Sequence, residues 1–170
     1  MLLTIGLALS ALAVQAQDGC TDFKWDVSKE RALFAGPPTV MRAGTDVKSA
    51  PIVLPNRLYQ LALAPQSSVN FSVWQGKKPA DADAHAGLAI LRISAAGSYR
   101  VALDLPVWID VVTSDSVLQP ADFQGQHSCA APHKIVEFDL KNTKPFLLQL
   151  SGAAIDQLLL TVTPTPERIR

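Results

Sequence analysis

The sequence predicts an all-β protein, an antiparallel β-sandwich of the jelly-roll kind with eight or nine strands. Apolar residues alternate with polar residues in short runs that are rich in β-branched and aromatic side chains. Gly, Pro, Asn and Asp separate these runs at regular intervals, as turns between short strands require. Because no long stretch has the 3.6-residue apolar period of an amphipathic helix, we expect at most a short helical turn near the N-terminus.

Each strand is expected in one of these runs. In chain order the runs are Asp22–Val27, Leu58–Leu63, Ser68–Trp74, Gly87–Ile93, Ser98–Leu103, Val107–Val112, Ile135–Leu140, Pro145–Leu150 and Gln157–Val162. The second and third runs flank a short Pro-containing segment and are predicted to form a hairpin. Ser28–Phe34 is predicted to form one or two helical turns, residues 39–56 an irregular connection with short edge strands, and residues 113–132 a long loop.

One central strand carries bulky residues on both faces, and its single acid indicates how it lies. Burying the carboxylate of Asp110 without a partner is costly. Since side chains alternate between the faces of a strand, Val107, Ile109 and Val111 are expected in the core. Trp108 and Asp110 are then expected together on the opposite face.

The first sixteen residues have the pattern of a secretory signal peptide. They form an uncharged apolar run that ends in small residues, with Val14 and Ala16 at the positions that precede a signal-peptidase cut. The run is short for a membrane span, and no later apolar run approaches that length. We therefore expect an exported, soluble protein, periplasmic or secreted, with one domain over residues 17–166 and a frayed tail over residues 167–170.

The chain has two cysteines, Cys20 and Cys129. In an oxidising compartment a single pair usually forms a disulfide, so we predict that these two are bridged. Closing so long a loop would stabilise the fold by about 4 to 5 kcal/mol at most. An alternative is that Cys20 carries a lipid, since it follows the apolar run, although Gln17, Asp18 and Gly19 fit a lipoprotein signal poorly.

Charge excludes one large class of partners. The chain has 15 basic and 15 acidic residues, and neither sign forms a block. Binding to nucleic acid or to an anionic membrane requires a concentrated basic patch, so neither is expected. The oligomeric state is left open by the sequence.

From Gly97 onward the order of features resembles the pre-peptidase C-terminal β-sandwich domains of secreted bacterial peptidases. The resemblance lies in the glycine and aromatic strand that begins at Gly97, the strand Trp108-Ile-Asp110-Val, and the closing pair Phe146–Gly152 and Asp156–Val162. The whole chain resembles the short uncharacterised exported proteins of Gram-negative bacteria that carry such a sandwich alone. This resemblance implies a fold and a compartment and implies no activity.

The functional hypothesis preferred from the sequence is a binding face. An aromatic platform at Trp108 beside the hydrogen-bonding Asp110 is typical of surfaces that bind carbohydrate or peptide, and Trp74 is a further candidate near a loop end. The alternative is that Trp108 packs against a neighbouring strand and that the protein is a structural module. No cofactor is expected, and no catalytic motif compels an enzyme.

Two rival functions depend on the segment around Cys129. His127, Cys129 and His133 are soft ligands on one loop, so a periplasmic metal-binding protein that uses His127, His133 and also His85 is the main alternative. A disulfide at Cys129 would remove the thiolate from that set. A small hydrolase with its site in the loop at residues 113–132 is a third hypothesis.

Overall fold

The computed structural model describes residues 19–73, 83–114 and 116–165, and these form two β-sheets that pack face to face. The predicted all-β sandwich is confirmed. The proposed signal peptide and Trp74 lie outside the described residues, as does the tail predicted over residues 167–170.

Within the described residues there are twelve strands, one α-helix and two short 3-10 helices. The strands are β1 Thr39–Arg42, β2 Ile52–Val53, β3 Leu58–Ala62, β4 Ala64–Pro65, β5 His85–Leu91, β6 Gly97–Leu103, β7 Trp108–Val112, β8 Val117–Leu118, β9 Asp122–Gly125, β10 Lys134–Leu140, β11 Phe146–Ala153 and β12 Gln157–Pro164. The helix α1 is Ser28–Phe34, and the 3-10 helices are Gly19–Asp22 and Gln66–Ser68. The sequence predicts fewer strands because the additional ones are two to four residues long.

The first sheet has the strand order β1-β3-β12-β6-β10-β9, and the second has the order β2-β5-β11-β7-β8 with β4 paired to β5. Neighbours are antiparallel except for the pairs β1 with β3 and β2 with β5, which are parallel. The chain crosses between the two sheets repeatedly, and two of these crossings join edge strands, β1 to β2 and β8 to β9. Consecutive strands therefore lie at both open sides of the sandwich.

The core between the sheets consists of the side chains that alternate inward along each strand. Val107, Ile109 and Val111 are buried there, as predicted, while Trp108 is half exposed. The largest fully buried side chains are two phenylalanines, one isoleucine and nine leucines, namely Phe138, Phe146, Ile135, Leu61, Leu88, Leu91, Leu103, Leu140, Leu148, Leu150, Leu158 and Leu160. Most of these belong to the inter-sheet core, whose burial supplies the main driving force for folding.

Several sequence predictions about the connections are wrong. The run Asp22–Val27 is not a strand, since a 3-10 helix ends at Asp22 and the chain then runs irregularly into α1. The predicted hairpin is absent, because β3 pairs with β1 and β12 instead. The segment predicted as a loop at residues 113–132 contains the edge strands β8 and β9.

The two segments wrongly predicted as strands share a physical cause, which is that apolar alternation also suits a segment that covers the outer face of a sheet. Val69 and Phe71 alternate toward the outer face of the second sheet and pack against Leu88 and Leu147. Phe23 and Val27 do the same on the outer face of the first sheet. In both places the covering segment buries apolar side chains without joining a ladder of backbone hydrogen bonds.

Candidate functional site

A cleft lies at the side of the sandwich where β8 and β9 are the edge strands of the two sheets. Residues 119–121 connect these strands, and the cleft beside them has a volume of about 490 Å³. Its wall includes Val117, Leu118 and Pro120, and its floor reaches the core residues Ile109 and Val136. This volume lies in the range of small-molecule binding sites, about 300 to 1,000 Å³.

Two aromatic side chains on opposite sheets line the cleft and remain open to solvent. Trp108 of β7 is 50% exposed, and Phe123 of β9 is 64% exposed. Phe123 pairs in register with Val136, so its side chain lies on the same face of the sheet as the core residues. It stays exposed because β9 is the edge of its sheet. Large exposed aromatic surface at a concave site typically marks a binding surface.

Lys134 begins β10 and also lies on the inward-facing side of its strand, with Val136 and Phe138. Its Nζ donates a hydrogen bond to the carbonyl oxygen of Val107 across the sandwich, at 2.8 Å. The same Nζ lies 5.6 Å from the centroid of the Trp108 ring, within the range of a cation–π interaction. Burial lowers the pKa of the Lys134 ammonium, and the negative charge of Asp110 partly opposes this shift.

Asp110 is half buried beside this lysine. Its Oδ1 accepts a hydrogen bond from Nε1 of Trp108 at 3.0 Å, which holds the indole ring in place over the cleft. Burial raises the pKa of the Asp110 carboxyl, while the Trp108 hydrogen bond and the positive charge of Lys134 lower it. The cleft therefore presents one acceptor and one donor that are both partly desolvated.

The backbone edges beside the cleft offer little to a pairing strand. On β9, Nζ of Lys24 donates to the carbonyl oxygen of Phe123 at 3.3 Å, and the side chain of Gln124 bonds the backbone of Lys24 and Asp22. On the second sheet β8 has only two residues, and Pro120 shortly after it has no N–H to donate. A ligand in the cleft would therefore contact mainly side chains.

The structure brings together two of the three binding residues predicted from the sequence. Trp108 and Asp110 share one face of β7 and are hydrogen-bonded to each other, whereas Trp74 lies outside the described residues. Sequence reasoning missed Phe123 and Lys134. The sequence did contain a signal for Lys134, because it lies on the same face of its strand as Val136 and Phe138. A lysine on a core-facing side needs either a buried partner or a cleft that admits solvent.

The predicted disulfide between Cys20 and Cys129 is present, and Trp25 packs against the cluster around it. The thiolate is therefore absent from the alternative metal set. The His127 and His133 rings do lie close, with centroids 5.2 Å apart, but His85 belongs to the second sheet. No three His, Cys, Asp or Glu side chains cluster as metal ligands within the described residues.

The hydrolase hypothesis depends on nucleophiles in the segment that now forms β8 and β9. Among the described residues, those that line the cleft include no serine, cysteine or histidine, and Asp110 and Lys134 are its ionisable groups. Ser116 instead closes a turn with Thr113. The described residues that line the cleft thus include no pair of a serine or cysteine nucleophile with a histidine base.

Comparisons with protein-family models, with curated proteins and with solved structures found no match to this chain. The resemblance to pre-peptidase C-terminal domains accordingly stays a prediction. The described part of the chain contains no helix with the length and apolar character needed to cross a membrane.

Proposed function

We propose that this protein is an exported, non-catalytic binding module whose ligand, a carbohydrate or a peptide, occupies the cleft between β8 and β9. The single observation that carries the proposal is the pair of exposed aromatic side chains, Trp108 and Phe123, that face a cleft containing Asp110 and Lys134. A purely structural module gains nothing from leaving such surface in contact with water.

The proposal of export draws support from the disulfide and from the N-terminal sequence. Disulfides persist in oxidising compartments and are rare in the cytosol. Cys20 and Cys129 are bridged in the folded chain, and the apolar run of residues 1–16 has the pattern of a signal peptide. These two features together support the proposal of a periplasmic or secreted location.

The binding function is tested by screening the mature, oxidised chain against an array of glycans and an array of extended peptides. We expect at least one compound to bind wild type and to lose binding in the Trp108→Ala and Phe123→Ala variants. Ile155→Ala is the matched control, because Ile155 is 52% exposed and does not line the cleft. Equal binding by wild type and both cleft variants, or no binding on either array, would contradict the proposal.

A further inference from the structure

The polar groups of the cleft indicate the charge of its ligand. One carboxylate, Asp110, accepts a hydrogen bond from the Trp108 indole N–H, and one ammonium, Lys134, lies 5.6 Å from the centroid of the same ring. Each of these two groups opposes the pKa shift of the other. Because their charges balance, neither an anionic nor a cationic ligand gains a net attraction. Adjacent hydroxyl groups suit the pair well, since a hydroxyl donates to a carboxylate and accepts from an ammonium.

The aromatic groups indicate the shape of the ligand. The indole ring of Trp108 is held by its own hydrogen bond to Asp110 and leaves half of its surface exposed. The negative face of an aromatic ring attracts the positively polarised C–H groups on the apolar face of a pyranose. A sugar ring on Trp108 would thus place its hydroxyl edge within reach of the neighbouring acid and base.

The edges of the sheets argue against an extended peptide. A peptide that adds to a sheet depends on a run of free backbone donors and acceptors. Lys24 and Gln124 engage the β9 side, and β8 offers two residues followed closely by Pro120. A ligand recognised through ring stacking and hydroxyl groups does not need such an edge.

We propose that the ligand is a neutral carbohydrate, one hexopyranose unit of which stacks on Trp108 while its adjacent hydroxyls bond Asp110 and Lys134. This inference rests on the proposed binding function and names the class of its ligand. Phe123, on the facing sheet, provides a second apolar surface for the same ring or for the next sugar unit.

The test is calorimetric titration of the oxidised chain with methyl glucoside, methyl galactoside, methyl mannoside, cellobiose and maltose. We expect at least one of these sugars to bind, with an affinity that does not change with ionic strength because the ligand carries no charge. Trp108→Ala should weaken that binding about tenfold or more, and Asp110→Asn by about tenfold, since a charge-assisted hydrogen bond becomes a neutral one. Trp108→Phe keeps a ring and should fall between wild type and Trp108→Ala, while Ile155→Ala should match wild type.

The same titration with extended peptides separates the two proposals. If a peptide binds and Trp108→Ala abolishes its binding while no sugar binds at millimolar concentration, the carbohydrate inference is wrong and the cleft function stands. If a sugar binds wild type and Trp108→Ala equally, the sugar site is elsewhere and both proposals fail. Thermal unfolding of each variant, followed by circular dichroism, checks that lost binding is not lost folding.

Discussion

Charged side chains occur in two contrasting regions of this sandwich, under the N-terminal segment and at the open edge. On the outer face of the first sheet, Glu30, Arg100 and Glu137 are each at most 7% exposed. At the edge, Asp110 and Lys134 are only partly buried and face the cleft. In the first region the charged side chains contact other protein groups, and in the second they face the cleft that we propose as the binding site.

In the region under the N-terminal segment, which we call the closed region, protein groups surround the guanidinium of Arg100. Its Nε donates to Oε2 of Glu137 at 3.3 Å, one terminal nitrogen donates to the carbonyl oxygen of Asp26 at 3.1 Å, and the same nitrogen lies 4.0 Å from Oε1 of Glu30. Trp25 stacks against it, with the guanidinium carbon 5.0 Å from the ring centroid. This cluster and the nearby disulfide attach residues 19–38 to the sheet.

At the edge beside the cleft, which we call the open region, each charged group has fewer protein partners. Lys134 donates to one carbonyl oxygen, and Asp110 accepts from one indole N–H. Their pKa shifts oppose ionisation of both groups, so folding does not benefit from these charges. Charge that is enclosed by protein partners is therefore structural, whereas charge that costs stability and faces a cleft is available to a ligand.

The largest expected effect is on the closed region. Arg100→Met removes the guanidinium that faces the buried carboxylates of Glu30 and Glu137, and we expect a loss of about 3 to 5 kcal/mol in the free energy of unfolding. Chemical denaturation measures it. Lys24→Met is the matched control, since the Lys24 to Asp122 pair is exposed at 2.5 Å and should contribute less than about 1 kcal/mol.

A triple variant tests whether the buried charges cause this loss of stability. In the triple variant with Glu30→Gln, Arg100→Met and Glu137→Gln no uncompensated charge is buried, so much of the lost stability should return. If Arg100→Met is no less stable than Lys24→Met, the cluster does not hold the N-terminal segment and the contrast between the two regions is wrong.

The second effect concerns the disulfide. Replacing both Cys20 and Cys129 by Ala should lower the free energy of unfolding by about 2 to 5 kcal/mol, because the unfolded chain regains the freedom of a 109-residue separation. Denaturation of the double variant and of the reduced wild type should agree. A loss below about 1 kcal/mol would mean that the Arg100 cluster alone attaches the segment.

The smallest effect is the pH dependence of the open region. Folding raises the pKa of Asp110 above 3.8, so its contribution to stability is present below 3.8 and is lost as the pH rises through the folded pKa. Lys134 is the charged group that faces Asp110. Burial lowers the pKa of Lys134 from 10.5, so this shift changes the stability at alkaline pH. Asp110→Asn should therefore gain stability relative to wild type as the pH rises from about 3 to 7, by less than about 1 kcal/mol after screening.

Asp46→Asn is a control whose stability relative to wild type should change with pH in the opposite direction. Hydrogen bonds from the backbone and side chain of Ser49 lower the pKa of Asp46, so that carboxylate stabilises the fold at neutral pH and loses its effect as the pH falls. Unfolding profiles at several pH values should diverge from wild type in opposite directions for the two variants. A common direction would contradict the assignment of Asp110 to a desolvated cleft.

Sequence reasoning succeeded where the information is local. The orientation of β7 followed from one costly carboxylate and the two-residue period of a strand, which together place Ile109 inward and Trp108 outward. The cysteine pair followed from chemistry and compartment. Sequence reasoning failed at Asp22–Val27. Apolar alternation indicates that one face of a segment is buried, but it does not indicate whether the backbone is hydrogen-bonded to a neighbouring strand.

Local sequence patterns were enough to predict the all-β class, the disulfide pair and the half of the cleft that lies on a single strand, Trp108 with Asp110. That Phe123 and Lys134 complete the cleft became apparent only from the packing of the two sheets, because β9 and β10 belong to the other sheet. The same holds for the Arg100 cluster, whose three charged members come from α1, β6 and β10. Side-chain direction along a strand repeats locally, whereas the meeting of two sheet edges depends on how the whole chain packs.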